Sequence, residues 1–98
     1  MLYSEFTDRT GATIGAEVYH KLVEPPYYDY PGDKDEYCRD WLVRQMALMT
    51  ETLVDCQKRS RKPDWTYNNQ LLWNVAKKQF ATYAEKLTKL NIRLGYNQ

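Results

Sequence analysis

The sequence predicts a mainly α-helical chain built on two long antiparallel helices, at about residues 34–60 and 65–94, with a small N-terminal segment packed on them. Three observations predict this. Leu42, Met46, Met49, Leu53 and Cys56 recur at spacings of 4, 3, 4 and 3, which places them on one stripe of a helix. Trp73, Ala76, Phe80, Tyr83, Leu87, Leu90 and Leu94 recur at 3, 4, 3, 4, 3 and 4, a heptad seam. The ends of both runs carry helix start and stop chemistry. Helices of roughly 40 Å, matched in length and joined by a short linker, normally pack antiparallel. Pairing of the second helix with its copy in a dimer is the alternative that a heptad seam leaves open.

The first helix starts after Asp33, a good N-cap, with Glu36 three residues later in capping-box spacing. Asp35 and Glu36 lie where the helix dipole favours anions, and Lys58, Arg59, Arg61 and Lys62 lie where it favours cations. Pro63 ends the run, because proline supplies no amide donor. The second helix begins between Asp64 and Thr66. Gly95 follows its last seam residue, where a left-handed C′ glycine belongs.

The N-terminal segment, residues 1–23, is ambiguous. LYSEFT (2–7) places Leu2 and Phe6 on one side, and Asp8-Arg9-Thr10-Gly11 reads as a turn with Gly11 at positive φ. ATIGAEV (12–18) fits a return strand that would complete a β-hairpin. AEVYHKLV (16–23) equally fits a short helix through Ala16, Tyr19 and Val23. Residues 24–33 hold three prolines and three tyrosines and read as an extended or turn-like connector. The whole chain, residues 1–98, is expected to form one domain, with the hairpin at 34–94.

Net charge is +1, but the charges are segregated. Residues 1–56 carry eleven acids and five bases, and residues 57–98 carry nine bases and two acids, giving −6 and +7. Such a split suits intramolecular complementarity, head-to-tail association or two differently charged faces. No signal-peptide pattern and no run of about 18 apolar residues is visible, so a cytoplasmic protein without a membrane partner is expected. Cys38 and Cys56 stand eighteen apart with no metal spacing around them. On one helix they would lie about 27 Å apart, too far for a disulfide.

Chemistry-bearing patterns are sparse. His20 is the one histidine, and neither Ser4 nor Ser60 sits in a nucleophile-elbow pattern. Cys38 has acids at Asp35, Glu36 and Asp40 that oppose thiolate formation, so both thiols read as small apolar fillers. The acids at 33–36 lack the ligand alternation of a calcium loop, and capping accounts for them. The four glycines are scattered and form no phosphate loop. Pro25-Pro26-Tyr27-Tyr28 matches a PPxY pattern, a short match that arises readily by chance. No catalytic residue, cofactor or metal is expected.

The expectation is a non-catalytic interaction, regulatory or inhibitor protein. Nine Tyr and three Trp are many for this length and suit an interface, although a small core filled with large side chains uses the same residues. The partner-binding candidates are Tyr27, Tyr28, Tyr30, Trp41 and Trp65. Trp41, Leu48, Trp65, Leu71 and Leu72 lie off the narrow seams and invite a contact. The partner is a protein or a second copy of the chain. The alternatives are a nucleic-acid-binding accessory protein using Lys58, Arg59, Arg61, Lys62, Lys78, Lys86, Lys89 and Arg93, and a structural homo-oligomer subunit.

Overall fold

The computed structural model describes residues 1–96, and every regular element among them is helical. α1 is Tyr3–Thr10. α2, Ala16–Val18, runs through a π-helical turn, Tyr19–Val23, into α3, Glu24–Tyr28. α4 is Lys34–Arg59 and α5 is Tyr67–Leu94. The two long helices are antiparallel. Arg39, early in α4, donates to Asn91, late in α5, at 2.7 Å, and Trp41 meets Tyr83 edge-on with ring centroids 5.6 Å apart.

The helix ends follow the expected chemistry. Asp33 Oδ1 accepts the Glu36 amide at 2.9 Å, and Thr66 Oγ1 accepts the Asn69 amide at 3.1 Å. Gly95 closes α5 at φ 81°. Both seams turn inward: Leu42, Tyr83 and Leu90 are buried, and Met46, Met49 and Leu87 pack against them.

The N-terminal segment is helical, and the β-hairpin expected as one of its two forms is absent among the described residues. The Glu5 carboxylate accepts the Leu2 amide at 2.7 Å, which satisfies a donor at the start of α1. Phe6 and Thr10, four apart, then share a buried face, and the Thr10 hydroxyl is satisfied by the Phe6 carbonyl at 2.8 Å. A strand would have sent these two residues to the same side as well, so alternation alone could not decide. Gly11 does take positive φ, 69°, but as the C-cap of α1 and not as a hairpin turn. It also permits a close approach, since a Cβ there would meet Thr82 Cγ2 at 2.6 Å.

The connector at 24–33 also differs from its expected extended form, because Glu24–Tyr28 is helical. Pro25 and Pro26 occupy the first turn of α3, where their missing amides cost least. A plain α-helix running through residue 25 would drive the proline ring into a carbonyl one turn earlier. The π-turn avoids this: the Glu24 amide reaches back five residues to the Tyr19 carbonyl and widens the turn that precedes the prolines.

Aromatic side chains bind this N-terminal layer to the hairpin. Phe6 sits 4.9 Å from Trp41 at 81° and 5.2 Å from Tyr19. Tyrosine hydroxyls hold the irregular backbone: Tyr19 donates to the Met1 carbonyl at 2.6 Å, Tyr37 to Val23 at 2.5 Å and Tyr3 to Ile14 at 2.5 Å. At the rim, Asp35 Oδ1 accepts from Arg9 of α1 and Arg93 of α5, both at 2.8 Å. Lys34 pairs with Glu5 beside it.

Leu90→Ala should lower unfolding free energy by about 2–5 kcal/mol in urea titration, since the side chain is fully enclosed. Burial raises the Asp35 pKa, but hydrogen bonds and charge from Arg9 and Arg93 outweigh it and hold the carboxyl below its ordinary value. Its contribution is therefore present above the unfolded aspartate range near pH 4 and is lost as pH falls through the lower folded value. The urea midpoint of the native chain should drop more between pH 7 and pH 3 than that of Asp35→Asn. Equal drops would remove the carboxylate from the clasp.

Candidate functional site

The aromatic core occupies only half of the hairpin. The N-terminal layer lies on one face of it, against Trp41 of α4 and against Gln79, Thr82 and Lys86 of α5. Toward the α4–α5 linker this same face continues without a cover. Leu48 stands seven residues after Trp41, and Val75 and Leu72 stand four and seven before Gln79, so helical periodicity puts all three on the covered flank's extension. They are 61%, 66% and 69% exposed. Leu71 is exposed beside them. The result is a stepped molecule, two layers thick at the end holding Met1 and Gly95 and one layer thick at the linker end.

An open apolar cleft of about 420 Å³ runs along the step. Val18 and Leu22 line it from the π-turn side, Trp41 and Leu48 from α4, and Arg44 sits at its mouth. Leu22 is 70% exposed. A second hollow of about 410 Å³ adjoins it through Pro26, Tyr37 and Arg44 and ends on Tyr30 and Asp40. Tyr30 donates to Asp40, and burial, with that carboxylate beside it, pushes its phenol up to about 12. Among the described residues every buried side-chain nitrogen and oxygen has a partner, so the interior leaves no polar atom facing an open site.

Shape carries the same asymmetry. The molecule measures 48 × 34 × 19 Å with a radius of gyration of 15.4 Å, against about 13 Å for a compact chain of this length. Its accessible surface is 6705 Å², roughly 800 Å² more than the size scaling for a compact monomer gives.

The sequence-predicted partner residues scatter. Trp41 is 8% exposed and belongs to the core. Tyr27 and Tyr30 stack edge-on against Tyr37, each 5.1 Å away, and clasp α3 to α4. Tyr28 is exposed on the layer. Trp65 lies at the linker end, edge-on to Trp73 at 5.9 Å, with its indole nitrogen donating to Gln70 at 3.0 Å. Val18, Leu22 and Val75 escaped the sequence reading. The signal was present as Val18–Leu22 at helical spacing and as Val75 on the flank of Leu71–Leu72, once those runs are read as helix.

The basic set also splits. Lys58, Arg59, Arg61 and Lys62 gather at the linker end, and Lys77 covers the Trp73 ring at 4.3 Å. Among the described residues Lys58, Arg61, Lys62, Lys77 and Lys78 have no carboxylate partner, and Arg59 has only Asp55 at 3.6 Å. Lys86, Lys89 and Arg93 serve elsewhere, bonded to the Asp8 carbonyl, Glu85 and Asp35. His20 pairs with Glu24 on the layer, whereas Ser60 bonds Gln57 at the far end of α4, so these two never meet. Among the described residues no three His, Cys, Asp or Glu side chains converge as a metal site would require. No helix there is long and apolar enough to cross a membrane.

Compared with known proteins, the chain matches no family model, no curated protein and no solved structure.

Both cysteines lie in α4, which sets them about 27 Å apart along the helix. Cys38 is enclosed, and burial pushes its thiol up to about 12. Cys56 is partly exposed. A thiol reagent at pH 8 should label one thiol per chain quickly and the second only in denaturant. Two fast thiols would contradict the enclosure of Cys38.

Proposed function

We propose that this protein works by binding a protein partner, a different chain or a second copy, through its uncovered stepped face, without catalysis. The carrying observation is the apolar cleft lined by Leu22 and Leu48, with Leu72 and Val75 exposed on the same hairpin, on a molecule with more surface than a compact fold of its size. Large apolar patches rimmed by charge are uncommon on monomeric proteins and mark contact sites. Arg44 at the cleft mouth gives a polar anchor next to apolar walls, the mixture found at interface centres. Catalysis needs a poised acid, base, nucleophile or metal, and His20, Ser60, Cys38 and Cys56 are each separated or enclosed. A regulatory or inhibitory role fits a small rigid binder of this kind.

A second reading rests on the unpaired cations at the linker end, beside the exposed Tyr67. It takes Lys58, Arg59, Arg61, Lys62 and Lys78 as phosphate contacts of a nucleic-acid-binding protein. Its mark would be affinity that falls by roughly several hundredfold between about 50 and 200 mM salt. A contact centred on the leucines should change far less.

The double variant Leu48→Glu, Leu72→Glu should retain the native circular dichroism spectrum and a cooperative unfolding transition, because both side chains are exposed on the chain. It should bind the native partner at least about tenfold more weakly, read by calorimetry or surface capture. Unchanged affinity in a folded double variant would remove the stepped face from function.

A further inference from the structure

We infer that the occupant of the stepped face is a second copy of this chain, docked antiparallel about a twofold axis near the step. This rests on the reading of that face as an interface and goes beyond it by naming the partner. Three features select a second copy. The first is shape. Each chain has a thick half, where the N-terminal layer covers the hairpin, and a thin half, where Leu48, Leu72 and Val75 lie bare. Two such steps turned end for end fill one another: the layer of each chain covers the thin half of the other. A contact in which the same surface serves both partners closes on itself and does not propagate.

The second feature is charge. Residues 1–33, which build the layer, carry six acids and two bases, a net −4. Residues 57–78, which build the thin end, carry six bases and one acid, a net +5. The antiparallel arrangement sets −4 over +5 twice. A parallel arrangement would set like on like at both ends. The cations at the thin end, apart from Arg59 on Asp55, have no carboxylate partner among the described residues, and Asp8, Asp29 and Glu17, the last paired with Lys21, are exposed on the layer.

The third feature is area. The whole molecule exposes roughly 800 Å² more than a compact monomer of its mass, so losing about 800 Å² per partner in an interface of standard size would return it to the compact value. Leu22 and Val18, at the riser of the step, would then meet their counterparts next to the axis and complete the walls of the cleft.

Charge exchange tests the inference on the intact chain. One variant reverses the thin end: Lys58→Glu, Arg61→Glu, Lys62→Glu. The other reverses the layer: Asp8→Lys, Glu17→Lys, Asp29→Lys. All six positions are exposed, so each variant should keep the native circular dichroism spectrum and melt as a folded chain, lower than the native chain only by the stability that doubling adds. By sedimentation equilibrium from about 1 to about 100 µM, the native chain should reach twice the 11.7 kDa of one chain. Each variant alone should sediment as one chain over the same range. Their equimolar mixture should recover the doubled mass, because the reversed thin end of one meets the reversed layer of the other. A native chain that stays single, a variant that still doubles alone, or a mixture that fails to double overturns the inference. If the native chain stays single while Leu48→Glu, Leu72→Glu still loses a partner taken from cells, only the identity of the occupant falls. If that variant loses nothing, the face itself is not an interface.

Discussion

The position of Trp41 governs the rest of the structure. Its ring stands between Phe6 of α1 and Tyr83 of α5, edge-on to both, at 4.9 and 5.6 Å. One side chain of α4 thereby joins the three elements that must meet for a core to exist. A chain under 100 residues has little apolar surface to enclose, and a wide ring contacted from two sides encloses it efficiently. Leu42, next in the chain, points into the α4–α5 seam, so the layer contact and the seam contact are in register. The Asp35 clasp closes the same junction from outside by tying α1 and α5 to α4.

Anchoring the layer at Trp41 fixes what it cannot reach. The helices run on for eighteen residues past Trp41 to Arg59, about 27 Å, whereas the layer is built from short helices folded back at Gly11 and near Tyr28. Beyond Met49 the hairpin is held by a single seam, and the flank that α1 would cover is left with Leu48, Leu72 and Val75. The exposed leucines are thus a consequence of two lengths, a hairpin of roughly 40 Å and a layer about half as long.

The long helices were legible because periodicity, capping and breakers agreed. Asp33, Gly95 and both seams fell where the spacing put them, since tertiary packing and local chemistry favoured the same residues. The N-terminal segment was not legible for a definite reason. Phe6 and Thr10 satisfy a period of two and a period of four alike, and what decides is the Glu5 side chain bonding the Leu2 amide, together with a threonine hydroxyl satisfied inside the core. The prolines misled through a correct rule. They do break a plain helix, and the π-turn from Tyr19 to Val23 is how this chain continues regardless. Tyrosine abundance was ambiguous between core and interface. Three of the nine tyrosines, Tyr3, Tyr19 and Tyr37, serve as struts whose hydroxyls hold backbone carbonyls, which a hydrophobic count cannot reveal. Leu48, Leu71 and Leu72 were legible as residues off the narrow seams, whereas Val18, Leu22 and Val75 become visible only once the layer's reach is known.

The charge split takes on a different meaning in three dimensions. In the sequence it suited complementarity within one chain, acids of the first half pairing with bases of the second. Part of it does work that way, through Arg93 and Asp35. Of the linker-end cations only Arg59 joins in, through Asp55 at 3.6 Å. They sit at the far end of a stiff hairpin, roughly three screening lengths beyond Trp41 at physiological salt, and no hinge brings them back to the layer. Moving them nearer would require α4 or α5 to break in mid-helix, at the expense of the seam that keeps Met49 and Phe80 from water. The −4 of the layer and the +5 of the linker end are consequently held apart by the fold, and the pairs each region makes are local, Glu17 with Lys21 and Glu5 with Lys34 in one, Asp55 with Arg59 in the other.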